Sequence, residues 1–368
     1  MIIKRCVAAL IAAALCLSLC ACGGTEAEMR DNSEAISLWY VSDAPVQELL
    51  TLAEEYAEEN GKEFILARSF EDEASLAAAL DSARPDLLLC SLQRAAELYD
   101  RGLLRDISSA MTAAPGYTDN ISALCAGAGA SVFPIGSEVE LLYTAPGLFD
   151  DGAPDTMAEL LTLAANYGRD TGLPFFTADS FGDLIYQSML SQDEELHGVR
   201  EKDINSKAYV SAYNALAEAA FSGGAAVTEY GARELVDSGY LPCAAARSSS
   251  LVGLSADADI SLLPSAGNRR LADCLCLAVT APEGRPTGRI ARFMSWLSEP
   301  GRMSSLALNS GLVPAVEDAS PMGESSLAAA LMELYNSFEL HIPDSGADYL
   351  TNRAEYEKQL REALKSLQ

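Results

Sequence analysis

Side chains able to do covalent or metal chemistry are sparse in this 368-residue chain. Cys274-Leu-Cys276 has the close spacing of a metal-binding pair, yet only two histidines, His197 and His341, are available to complete a zinc set. Alternation along a strand puts both sulfurs on one face, which favours buried strand cysteines over a metal site. Beyond the N-terminal segment the other cysteines are Cys90, Cys125 and Cys243, and an odd total leaves at least one thiol free. The motifs G-x-S-x-G, S-x-x-K and H-E-x-x-H are absent, as is a Gly-Lys-Ser/Thr phosphate loop. Glu138 and Asp183 could be paired as acid and base, but a chain with 53 acidic residues offers such pairs everywhere. The pattern points away from an enzyme and implies neither a cofactor nor a metal.

The first residues carry a different signal. Lys4 and Arg5 precede an apolar run over 6–19, short of the ~20 residues a membrane-crossing helix needs. A basic start, a short apolar core and small residues at its end describe a secretory signal peptide. Leu19-Cys20-Ala21-Cys22 resembles the bacterial lipobox, with Cys22 at the modified position. Residues 1–21 are therefore expected to be removed, Cys22 to be acylated, and residues 22–34 to form a flexible tether. The alternative is an ordinary cleaved signal with incidental cysteines. A diacylglycerol anchor supplies the two chains that stable attachment requires, which places the protein at the outer face of a bacterial cytoplasmic membrane.

A net charge of −28 repels phosphate backbones and argues against a nucleic-acid partner. With 49% hydrophobic residues the roughly 350 residues after the signal can build two domains.

The elements that would position a site alternate from the start. "ISLWYV" at 36–41 is a strand by its β-branched and aromatic content, and Ser42, Asp43 and Pro45 are suited to open a helix. Val46, Leu49, Leu50, Ala53 and Tyr56 share a helical face, with glutamates opposite and Gly61 as the stop. Strands at 64–68 and 87–90 and helices at 73–82 and 92–100 continue the pattern, which implies mostly parallel sheets covered on both faces. In such folds ligands bind beyond the carboxyl ends of strands, at helix N-termini. Tyr40, Ser42 and Asp43 after the first strand, and Ser91, Gln93 and Arg94 after the third, are the first candidates. Further helices are expected at 156–167, 208–221 and 286–297, and the tail at 352–367 reads as a solvated amphipathic helix.

The order of segments resembles the extracellular solute-binding proteins of ABC importers, the large group typified by maltose-binding protein. "ISLWY" is similar to that family's opening strand, and "RPDLLLCSLQRAAELYDRGLLRDIS" to its "PD-apolar … L…G-L-L" segment. "FPIGSEVELLYTAPGLF" resembles its hinge and "LYYNKDLF" stretch, "PDTMAELLTLA" its "P-T-W-x-E-L" helix, and "ARFMSWLSEPGRMSSLALNSGLVPA" its late helix and closing turn.

The resemblance implies a two-lobed α/β fold, with 35–137 plus 276–315 as one lobe and 138–275 plus 316–368 as the other, closing on a solute like a hinged clamp. It implies a monomer that delivers a small solute, most often a carbohydrate, to membrane permease subunits. A sensor of the same fold, or a degenerate binder, is the alternative. Glu138 takes the hinge position or is a solvated strand-end carboxylate. Gln93 and Arg94 match a polar pair after the third strand or form an exposed helix start; Phe175, Phe176 and Thr177 match a segment where sugar binders place an aromatic platform, with core packing of the rings as the alternative; Arg247 and Ser248 match a ligand-contacting segment. This sequence departs from the family in lacking the tryptophan usual at 247–250 and in its low aromatic content of 7%. Arg94, Arg247 and Arg269 could instead pair with a carboxylate or phosphate.

Overall fold

The computed structural model describes residues 35–42, 44–61, 65–126, 128–149, 152–192, 206–255, 258–320, 325–343 and 349–368. Cys22, the signal peptide, the tether and Asp43 lie outside them.

Two sheets organise the chain. The larger follows the strand order Val313–Pro314, Val132–Glu138, Asp273–Val279, Leu87–Ser91, Ile36–Val41, Ile65–Phe70, and the smaller Phe176–Ala178, Cys243–Arg247, Glu140–Thr144, Asp259–Leu262. β1 (Ile36–Val41) runs parallel to β2 (Ile65–Phe70) and β3 (Leu87–Ser91), with Ile36 opposite Ile65 and Leu38 opposite Leu87. Helices α1 (Gln47–Glu59) and α2 (Glu73–Ser82) make the crossovers. α1 buries Leu49, Ala53 and Tyr56 as its periodicity predicts, buries Leu52 and Ala57 besides, and leaves Leu50 half-buried. A reciprocal capping box between Asp72 and Ser75 starts α2. Ser91 caps α3 (Leu92–Asp100) by accepting a hydrogen bond from the Arg94 amide at 3.2 Å.

After the short α4 (Asp119–Leu124), the chain leaves the first lobe through β4 (Val132–Glu138) and enters the second through β5 (Glu140–Thr144), with Val139 alone between them. The second lobe adds α5 (Met157–Thr171), β6 (Phe176–Ala178), α6 (Phe181–Leu190), α7 (Lys207–Phe221), α8 (Ala232–Asp237), β7 (Cys243–Arg247) and β8 (Asp259–Leu262). β9 (Arg269–Leu271) leads at once into β10 (Asp273–Val279), which returns to the larger sheet between β3 and β4. There follow α9 (Gly288–Leu297), α10 (Pro300–Asn309), β11 (Val313–Pro314), α11 (Ser326–Ser337), β12 (Glu339–His341) and α12 (Tyr349–Lys365).

Both sheets are mixed, where the sequence predicted mostly parallel ones. β10 is antiparallel to β3 and β4, and β5 to β7 and β8. The cause is connectivity: β4 carries the chain out of the first lobe beside β10, which brings it back, so the two must oppose each other. The larger sheet also takes in Glu138 and residues 273–275, which the sequence assigned to the second lobe, because Asp273 already pairs with Glu138 and Cys274 with Ser137.

Each lobe has its own core. Leu38, Leu49, Tyr56, Leu89, Phe133 and Phe293 pack in the first, and Leu160, Phe176, Phe181, Met189 and Leu216 in the second. A third apolar cluster runs behind the hinge, where Leu331 and Leu334 of α11 join Val139, Leu141 and Ala246 to Leu308 and Val313. Gly311 is required there. Its φ is +74°, and a Cβ would stand 2.5 Å from the Ser248 carbonyl oxygen, so only glycine lets the two backbones approach.

Candidate functional site

Between the two sheets lies a cleft of about 770 Å³. The first lobe contributes Ser91, Gln93 and Leu275, the second Asp179, Arg247, Ser249 and Ser250, and the hinge Glu138 and Asp273. Arg353 and Ala354 of the C-terminal helix also form part of the wall. No aromatic side chain is among the described residues that line it.

Of the sequence candidates, the structure brings Ser91, Gln93, Glu138 and Arg247 to this cleft. Gln93 is only 4% exposed, and neither its amide nitrogen nor its oxygen has a hydrogen-bond partner. Such a group costs about 1–3 kcal/mol until something pairs with it. Arg94 does not line the cleft; it pairs with Glu73 at 3.1 Å and with Glu97.

The remaining candidates are placed elsewhere. Tyr40 sits in β1 against the first core, and Ser42 is tied to β2 through its amide, 2.8 Å from the Phe70 carbonyl, rather than capping α1. Phe175 and Phe176 are core residues, 4% and 0% exposed, not a platform for a ligand. Phe175 packs on Tyr167 with ring centroids 5.2 Å apart, and Thr177 donates to the Ala226 carbonyl at 2.8 Å. β6 lies against α5 and α6, so burying those rings closes the second core. Ser248 is fully buried and braces the hinge: its hydroxyl accepts from the Val139 amide at 3.2 Å and its amide donates to the Val139 carbonyl at 2.8 Å. Arg269 turns to β12, with Nη2 3.0 Å from His341 Nδ1, and Arg270 lies over the Phe338 ring at 4.2 Å.

Charge concentrates where the lobes meet. Arg353 bridges them, with Nη2 2.5 Å from Asp183 and Nη1 2.6 Å from Asp273. Ser249 donates to Glu138, whose carboxyl is pushed above its usual range by burial and drawn back in part by Arg247. Burial, with Asp183 and Asp179 alongside, raises Glu140 well above the ordinary carboxylate value. Its Oε1 accepts from the Ser180 amide at 2.9 Å, while Oε2 is shut off from solvent without a hydrogen-bond partner. Burial opposes the charge on Arg247, but Glu138 and Asp183 outweigh it and hold the guanidinium above its ordinary pKa. These groups surround a second, small cavity of about 30 Å³ behind the cleft.

The sequence reading missed Asp179, Asp273 and Arg353. Asp179 fixes the end of β7, its two oxygens accepting from the Ala232 amide at 2.9 Å and the Arg247 amide at 2.8 Å. A signal for Arg353 was present: Arg353, Glu357 and Arg361 recur every four residues and so share one face of α12. Glu357 accepts from the Gly182 and Phe181 amides at 2.7 and 3.2 Å, which occupies the N-terminus of α6. Arg361 donates to the Asp179 and Thr228 carbonyls at 2.7 and 2.8 Å.

Among the described residues no group of His, Cys, Asp or Glu could hold a metal ion, and no helix is long and apolar enough to cross a membrane. Cys90 and Cys276 are buried opposite each other on β3 and β10.

Two α/β lobes, linked at adjacent crossovers and facing a shared cleft, define a hinged binding protein. The chain belongs to the bacterial extracellular solute-binding protein family, whose model matches residues 51–333. Among solved structures it is similar to the GacH receptor of Streptomyces glaucescens GLA.O, determined unliganded and with acarbose (TM-score 0.70, 17% identity, 91% of this chain and 94% of that one). It is similar also to maltose-bound MalE3 of T. maritima (TM-score 0.69, 15% identity, 91% and 95%). A third is the cyclic α-maltosyl-1,6-maltose binding protein of Arthrobacter globiformis (TM-score 0.64, 16% identity, 91% and 94%). At such identities the likeness is one of fold. A search of curated sequences found no match.

Proposed function

We propose that this protein captures a small hydroxylated solute of the carbohydrate class in the cleft and delivers it to the permease of an ABC importer, moored by a lipid on Cys22. The observation that carries the reading is the cleft itself, about 770 Å³ and lined from both lobes. A solute touching Gln93 on one side and Arg247 on the other favours the closed arrangement, because only that state offers both sets of contacts. Binding drives the cycle and no bond is made or broken. The similar structures were solved with maltose or acarbose, which supports a carbohydrate.

A thermal-shift screen of the full-length protein tests this, using neutral sugars and oligosaccharides, sugar acids, amino acids, polyamines and phosphate esters. A solute at 100 times its dissociation constant adds about 2.7 kcal/mol of stability. A clear rise with a sugar or sugar derivative is expected; a rise with polyamines or amino acids alone would refute the carbohydrate assignment. Replacing Cys22 with alanine is expected to release the protein from cell membranes into the medium, as followed by immunoblot of the two fractions.

A further inference from the structure

We infer that the solute carries an anionic group on a hydroxylated carbon skeleton, as a sugar acid or sugar phosphate does, with Arg247 holding the anion and Gln93 a hydroxyl. This rests on reading the cleft as the solute site.

Each carboxylate lining the cleft already accepts a hydrogen bond, and two of them an arginine. Glu73 pairs with Arg94 at 3.1 Å, and Asp273 with Arg353 at 2.6 Å. Asp179 accepts backbone amides at both oxygens, and Glu138 accepts the Ser249 hydroxyl. Most cations are taken too. Arg94 holds two glutamates, Arg353 holds Asp183 and Asp273, and Arg269 and Arg270 are turned toward β12 and Phe338. Arg247 differs. It lines the cleft, yet among the described residues none lies within hydrogen-bond or ion-pair reach of its guanidinium; Glu138 and Asp183 act on it only at longer range.

A guanidinium presents a planar fork of donors that matches a carboxylate or phosphate in two parallel bonds. Its backbone is fixed, because the Arg247 amide is held by Asp179 and its carbonyl by the Ser250 hydroxyl at 2.7 Å. Across the cleft, Gln93 supplies one donor group and one acceptor, both unpaired, which suits a hydroxyl that can accept and donate. A neutral sugar ring, by contrast, would find no aromatic face among the described residues to stack on. A cationic solute would have to compete with Arg94 and Arg353 for Glu73 and Asp273, and with a hydroxyl and backbone amides for Glu138 and Asp179.

Isothermal titration of the full-length protein with D-glucuronate and D-glucose 6-phosphate, beside D-glucose and maltose, tests the assignment. One acidic probe is expected to bind at least ~10-fold tighter than glucose, the margin of a charge-assisted hydrogen-bonded pair. That margin is expected to vanish in Arg247→Gln and to survive in part in Arg247→Lys, which keeps the charge without the fork. Gln93→Leu is expected to weaken acidic and neutral probes alike. Circular dichroism checks that each variant folds, and the wild-type ratio of acidic to neutral affinity stands whatever the variants do. Glucose or maltose binding as tightly as the acids would overturn the anionic assignment while leaving the clamp in place. No binding of any of the four, together with silence in the thermal screen, would overturn both.

Discussion

The two lobes meet the cleft with the same device, a strand followed by a capped helix, and use it differently. In the first lobe, β3 leads into α3, Ser91 caps the helix, and Gln93 is left without a partner. In the second, β6 leads into α6 and Ser180 caps it, but the C-terminal helix reaches across and sets Glu357 on the helix N-terminus. A helix N-terminus favours an anion. The second lobe therefore satisfies that preference with its own carboxylate, and places Arg247 in the cleft one strand over, at the end of β7. The first lobe leaves Gln93 unpaired at its helix start; the second fills its helix start with Glu357 and leaves the Arg247 guanidinium facing the cleft.

Breaking the brace is expected to cost most. Arg353→Leu strands Asp183 and Asp273 at the lobe junction, and should lower unfolding stability by about 3 kcal/mol in urea titrations. The matching cut in the first lobe, Arg94→Leu, removes pairs with the half-exposed Glu73 and with Glu97 and should cost less than about 1 kcal/mol. Equal losses would dissolve the contrast. Next comes Glu357→Gln, which removes charge from the α6 N-terminus and from Arg361; a loss of about 1–2 kcal/mol is expected by the same titration. Ser91→Ala should cost about 1 kcal/mol as a lost helix cap, with α3 fraying visible as faster amide exchange.

The last effect has the opposite sign. Folding raises the pKa of Glu140, so the native state binds more protons than the unfolded chain between the two values, and stability falls as pH rises through that window. The penalty is complete above the folded pKa and absent below the unfolded one. Glu140→Gln is therefore expected to raise the melting temperature at neutral pH and to match the parent in acid, as thermal melts across pH 4–8 would record.

Much of this was legible in the sequence, and the failures have physical causes. The first three strands and their helices followed from periodicity and capping residues, because each buries one face locally. The direction of β10 did not, since strand polarity depends on a partner some 140 residues away in β4. The sequence left Phe175 and Phe176 open between ligand platform and core, because a short aromatic run reads the same either way; both rings are in the core. Arg353 was hidden by its helix: alternating charge suggested a solvated surface, and only the four-residue spacing of Arg353, Glu357 and Arg361 pointed to a buried use. Arg247 was legible in the sequence, whereas the bonding of the surrounding carboxylates to other groups depends on the fold.

Hydrogen–deuterium exchange on the full-length protein, saturated with glucuronate, glucose 6-phosphate or maltose according to the thermal screen, tests most directly that one solute is gripped by both lobes. Slower exchange is expected at residues 91–94 and 247–250 together, with little change at the α6 start that Glu357 already occupies. Protection confined to one lobe, or lying outside the cleft, would contradict a clamp.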